Sequence, residues 1–87
     1  MKFFKSTDEK LEAIGFKKIE ESEYIVVYER QQHPEYVQVL ELGRHEDGHH
    51  RICSHQKGVN SDGFNNALWL TVYEAHLASK KMWQKGW

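Results

Sequence analysis

Close to its end the chain reads Thr71-Val72-Tyr73-Glu74, the spacing of a capping box. In that motif the threonine hydroxyl accepts a hydrogen bond from the amide three residues on, and the glutamate reaches back to the threonine amide. It fixes where a helix begins, and Gly86 supplies the stop, because glycine takes the left-handed conformation without steric cost. A helix therefore closes the chain. Phe16 to Gln56, by contrast, reads as strands, so the chain must set a terminal helix against a sheet.

The strands follow from their punctuation. Phe16-Lys17-Lys18-Ile19-Glu20 is a first, polar-edged strand, and Glu21-Ser22-Glu23 turns it into Tyr24-Ile25-Val26-Val27-Tyr28-Glu29-Arg30. That second run is rich in β-branched and aromatic residues. His33-Pro34-Glu35 breaks it, since proline donates nothing to a ladder. Tyr36 to Gly43 is the third strand, the Asp47-Gly48 pair marks a tight turn, and His49 to Gln56 returns as the fourth. Short turns favour an antiparallel meander in the order 1-2-3-4.

Ser6 and Glu9 form a second capping box, opening a short helix over about residues 7–14 that Gly15 ends. Its few apolar positions, Leu11, Ala13 and Ile14, put it on the surface of the sheet. Lys57 to Asn66 carries turn chemistry. Ala67-Leu68-Trp69-Leu70 is either a short extended piece or the first turn of the terminal helix; four residues of periodicity do not separate the two. Within that helix Val72, Ala75, Ser79 and Met82 share a face, with Tyr73 and Leu77 beside them, and this stripe is expected to cover the sheet.

A chain of 87 residues makes one domain, spanning 1–87, and buries only roughly 60–65% of its unfolded surface. Three Trp, four Tyr and four Phe help to fill so thin a core. Charge is nearly balanced, with 12 basic and 13 acidic residues, so no global field recommends a nucleic acid or membrane partner. The distribution is uneven: residues 1–56 hold 8 Lys/Arg and 11 Asp/Glu, residues 57–87 hold 4 and 2. Any basic patch belongs to the terminal helix. Cys53 is the single cysteine, which excludes an internal disulfide and suits a reducing cytoplasm. Met1-Lys2-Phe3-Phe4-Lys5 has no apolar stretch behind it, so no secretory leader is expected. No apolar run approaches the ~18–20 residues of a membrane span.

The strand at Tyr24–Arg30, the Asp47-Gly48 turn, Asn60 to Gly63, and the ending Leu70-Thr71, Glu74, Lys81 and Gly86-Trp87 make a pattern. From about Leu11 onward it resembles the short uncharacterised proteins of phages and prophages of Gram-positive bacteria. These motifs are structural, and the resemblance brings no activity or catalytic residues. It implies a context: an accessory protein of a mobile element that acts by binding a host or phage component.

Four of the six histidines, His45, His49, His50 and His55, cluster around Cys53. On a strand His49, Arg51, Cys53 and His55 project to one face. Cys53 and His55, joined by a further histidine, have the donor types of a zinc site. Arg51 sits among them, however, and the spacing matches no finger, so an exposed polar sheet face accounts for the same residues and no metal is expected. Asn60-Ser61-Asp62-Gly63 fails as a calcium loop: with Gly63 at the invariant glycine, Gly58 and Trp69 fall where oxygen ligands belong. Cys53 has neither an orienting carboxylate nor an oxyanion hole in view. No enzymatic activity and no cofactor are expected.

The terminal helix carries the more informative surface. Lys80, Lys81 and Lys85 alternate with Trp83 and Trp87. Tryptophans concentrate binding energy at protein interfaces, and a thin core does not easily hide Trp69, Trp83 and Trp87 together. The same residues also have a plain use. Lysines in a last turn favour the negative end of the helix dipole, and tryptophans pack on a sheet edge. Tyr24 and Tyr28 join the surface if their strand face is open. The expectation is thus an α+β domain: a four-stranded antiparallel meander, a short N-terminal helix and a longer C-terminal helix packed on one face. It acts as a non-enzymatic binding protein, its partner another protein or a second copy, through Lys80, Lys81, Trp83, Lys85 and Trp87. Weak binding of single-stranded nucleic acid by the same helix is the alternative.

Overall fold

The structure, a computed structural model, describes residues 6–58 and 70–87, and of residues 32, 33 and 58 the backbone alone. The Asn60–Gly63 segment, Ala67, Leu68 and Trp69 lie outside the described residues. The element order is α1 (Thr7–Ala13), β1 (Lys17–Glu21), β2 (Ile25–His33), β3 (Tyr36–Gly43), β4 (Arg51–Gly58) and α2 (Val72–Gln84). The four strands form one antiparallel sheet in the order β1-β2-β3-β4, so the α+β meander expected from the sequence is the observed architecture.

Both helices are closed by the same pair of devices. At α1, Ser6 and Glu9 make the reciprocal box; at α2, Thr71 and Glu74 do so at 3.0 Å in each direction. At the other end, Gly15 (φ +102°) and Gly86 (φ +80°) take the left-handed conformation. The amides of Phe16 and Trp87 then fold back onto the carbonyls of Leu11 and Met82, at 3.0 and 3.1 Å. This is the Schellman arrangement, in which the residue after the glycine meets the helix's last turn in an apolar contact. It delivers Phe16 and Trp87 to the core, and β1 accordingly begins at Lys17, one residue later than the pattern suggests.

Strand limits differ from the sequence reading where side chains claim the backbone. Pro34 and Glu35 form a two-residue turn, and β2 runs through to a His33–Tyr36 pair instead of stopping at Arg30. Strand β4 starts at Arg51, not His49, because the preceding loop holds that segment. Asp47 Oδ1 accepts from the His49 amide at 2.8 Å, and His50 Nδ1 accepts from the His45 amide at 3.1 Å. The strand then continues over Lys57 and Gly58.

Val26 and Tyr28 of β2, Leu40 and Leu42 of β3, and Ile52 and Ser54 of β4 stand in register on the sheet's inner face. Leu11, Phe16, Leu77, Ala78 and Met82 pack onto the apolar ones, with Ile14, Leu70 and Trp87 at the margin. Leu11 is wholly buried and Thr7 nearly so, so α1 is built into the core more deeply than its sparse apolar pattern suggests. Strand β1 carries a bulge between Lys18 and Glu20. Lys18 is opposite Tyr28 and Glu21 opposite Val26, which puts two residues three apart on the same, inner side.

Candidate interaction face on helix α2

Helix α2 presents its sides differently from the hydropathy reading. Its buried residues are Glu74, Leu77, Ala78 and Met82. Val72 is 89% and Tyr73 49% exposed, and Ser79 is exposed as well. The stripe of Val72, Ala75, Ser79 and Met82 is therefore not the packing face. Polar residues decide the rotation, because Glu74, Lys81 and Lys85 find their partners on the sheet side, and they turn Val72 and Tyr73 outward.

Glu74 is the innermost of these. While its Oε1 caps the Thr71 amide, its Oε2 lies 2.8 Å from Arg30 Nη1, with only 6% of the side chain exposed. Arg30 also donates to Gln38 Oε1 at 2.6 Å and to the Ile14 carbonyl at 3.3 Å, and its guanidinium stacks 4.2 Å above the Phe16 ring. Gln38 passes the chain on to Ser54 at 3.0 Å. Arg30 thus ties the start of α2, the end of α1 and the middle of the sheet together. In sequence it reads as the last residue of a strand; the only advance signal is a cation on the inward parity of Val26 and Tyr28.

Lys81 and Lys85 are held in a second network. Lys81 Nζ is 3.2 Å from Asp8 Oδ1 and from Glu21 Oε1, Lys85 Nζ is 3.1 Å from Glu21 Oε2, and Lys18 Nζ is 2.9 Å from Asp8 and 2.7 Å from Glu21. The Tyr28 hydroxyl donates to Asp8 Oδ1 at 2.6 Å. Burial works to raise the Asp8 pKa, but the bonds from Tyr28, Lys18 and Lys81 outweigh it and bring the group down to about 2. Glu21 is lowered to about 2 as well, chiefly by Lys18 against the cost of burial, with Lys85 and Lys81 assisting. Burial first, then the Asp8 carboxylate, pushes Tyr28 well above the ordinary phenol range. Lys18 is raised by its bonds to Glu21 and Asp8.

The five residues singled out on the terminal helix therefore separate. Lys81 and Lys85 are 12% and 16% exposed and engaged with carboxylates, and Trp87 packs at the core margin with its ring 5.6 Å from His50. Trp83 remains on the outside, 78% exposed, and Lys80 is half-buried at the edge of that side. They share it with Val72, Tyr73, His76 and Ser79, which follow one another at helical spacing on the side opposite the core. The tyrosines separate too. Tyr28 is buried, whereas Tyr24 is exposed ahead of β2 with Arg44 5.9 Å above its ring.

The clustered histidines, His45, His49, His50 and His55, do not converge. His45 and His49 flank Asp47 in the loop, at 3.3 and 3.4 Å, while Arg51, Cys53 and His55 line the outer sheet face, where Arg51 pairs with Glu41 at 3.1 Å. The Asp47 pKa is lowered, mainly by the His49 amide. Among the described residues no group of three or more His, Cys, Asp or Glu side chains is placed to hold a metal ion, and no helix is long and apolar enough to cross a membrane. No family model, curated protein or solved structure matches this chain.

Proposed function

We propose that this chain is a small, non-enzymatic binding module that engages a protein through the outer face of α2, serving as an accessory of the mobile-element kind its sequence resembles. The observation that carries the reading is the exposure of Trp83 and Val72 on a helix whose other side is fully occupied. A folded monomer gains little from an indole in water, whereas an interface gains much, because aromatic anchors carry most of the binding energy. Tyr73 and Lys80 flank these anchors. Nucleic acid is served less well, since Lys81 and Lys85 already hold carboxylates and phosphate binding scales with the number of free cations.

A photo-crosslinking residue at Ser79, in the middle of the face, tests the reading in cells of the host. The expected result is a dominant protein adduct that is absent when the same residue replaces Glu23, in the β1–β2 turn. Identical adducts from both positions, or none from Ser79, would overturn it.

A further inference from the structure

The chemistry of this face also distinguishes a second copy of the chain from a different protein. The only carboxylate on α2 is Glu74, and it is turned inward to Arg30. The outer face is therefore apolar at Val72, Tyr73 and Trp83, cationic at Lys80, polar at His76 and Ser79, and free of acids along its length. Among the described residues Lys80 pairs with no carboxylate, in contrast to Lys81 and Lys85 beside it. An identical helix laid across this one would return the same acid-free surface, leaving Lys80 with no opposite charge at the contact. Like charges meeting there would oppose the apolar gain.

We propose, building on the reading of α2 as a protein-binding face, that its occupant is an amphipathic helix of another protein, with an apolar stripe flanked by acidic residues. The stripe meets Val72 and Trp83, which stand eleven residues apart on α2, about three turns, and the carboxylates meet Lys80.

Selection from a displayed library of random helical peptides against the folded native protein tests this, with the enriched peptides then measured on the Trp83→Ala and Lys80→Glu variants. Peptides enriched on the native protein are expected to be net acidic around an apolar stripe. Trp83→Ala should weaken them by about 30-fold or more, the loss typical of a hot-spot indole. Lys80→Glu should weaken them by about two- to fivefold, the range of an exposed ion pair. Both positions are outside the core, and circular dichroism verifies that the variants fold. Enrichment of neutral or basic stripes that still depend on Trp83 would overturn the acidic partner while leaving the face intact. Peptides indifferent to Trp83→Ala would remove the binding face itself. Concentration-dependent dimerisation by sedimentation, abolished by Trp83→Ala, would also overturn the proposal in favour of a second copy.

Discussion

The Arg30–Glu74 pair gives the sharpest test of how this fold is held. Glu74→Gln keeps an oxygen able to accept from the Thr71 amide, so the cap survives, but it removes the charge facing Arg30 at 2.8 Å. Breaking a buried ion pair by deleting one partner costs roughly 3–5 kcal/mol. Arg30 here retains Gln38, the Ile14 carbonyl and the Phe16 ring, so the lower range of a charged hydrogen bond, about 2 kcal/mol, is expected. For a domain of this size that corresponds to a fall in Tm of about 8–16 °C. Glu74→Ala, which also opens the cap, should cost about 1 kcal/mol more, on the scale of a lost helix cap. Urea unfolding of Glu74→Gln, Arg30→Met and the double variant reads the coupling directly. The double should cost less than the two singles together by at least ~1 kcal/mol. Strict additivity, or a Glu74→Gln loss within ~0.5 kcal/mol of zero, would refute the role given to Arg30.

Three further outcomes follow from the same structure. The carboxyls of Asp8 and Glu21 are held down to about 2 in the folded protein, against ordinary values of 3.8 and 4.5. The unfolded chain therefore binds protons first, and their stabilisation is intact above pH 4.5, declines as pH falls through this window and is lost below about 2; an acid titration of Asp8→Asn/Glu21→Gln should show a flatter slope over that range than the native protein. Trp83→Ala should leave urea stability within ~0.5 kcal/mol of native, while Trp87→Ala should lower it clearly, and a cost at Trp83 equal to that at Trp87 would contradict the assigned faces. Gly86→Ala should cost only the left-handed penalty of about 1–2 kcal/mol, because nothing lies within 4 Å of its added carbon; Gly15→Ala should cost more, since its carbon would meet Arg30 Cδ at 3.1 Å, and equal melting temperatures for the two would contradict that crowding.

The parts of this fold that were legible in sequence are those written locally. Both capping boxes, both helix-stopping glycines and the bounds of β3 depend on residues within a few positions of one another. What escaped depends on partners far along the chain. The rotation of α2 is set by Arg30, Asp8 and Glu21, and a hydropathy stripe carries no information about them; Val72 and Tyr73 looked inward for that reason. Lys81 and Lys85 appeared as surface charge because their carboxylates belong to α1 and β1. Trp87 looked free because the backward fold after Gly86, though signalled by the glycine, does not say which surface it meets. Of the candidate site, Trp83 and Lys80 were identifiable from sequence, whereas their separation from Lys81, Lys85 and Trp87 required the tertiary structure.

The bulge at Ile19 has an effect beyond bringing Lys18 and Glu21 to one side. Strand β1 borders the sheet, and a bordering strand is a template on which a neighbouring molecule can extend the ladder into a fibre. Here the ladder is interrupted within five residues, four of them charged, in the sequence Lys17-Lys18-Ile19-Glu20-Glu21. An arriving strand would find neither a continuous row of amides nor a stretch without charge to lie against. Removing Ile19 would restore regular alternation and still leave Lys18 opposite Tyr28 and Glu21 opposite Val26, so both clasp residues would keep to the inner side. The same deletion would leave an uninterrupted border, making a monomer more prone to assemble into aggregates.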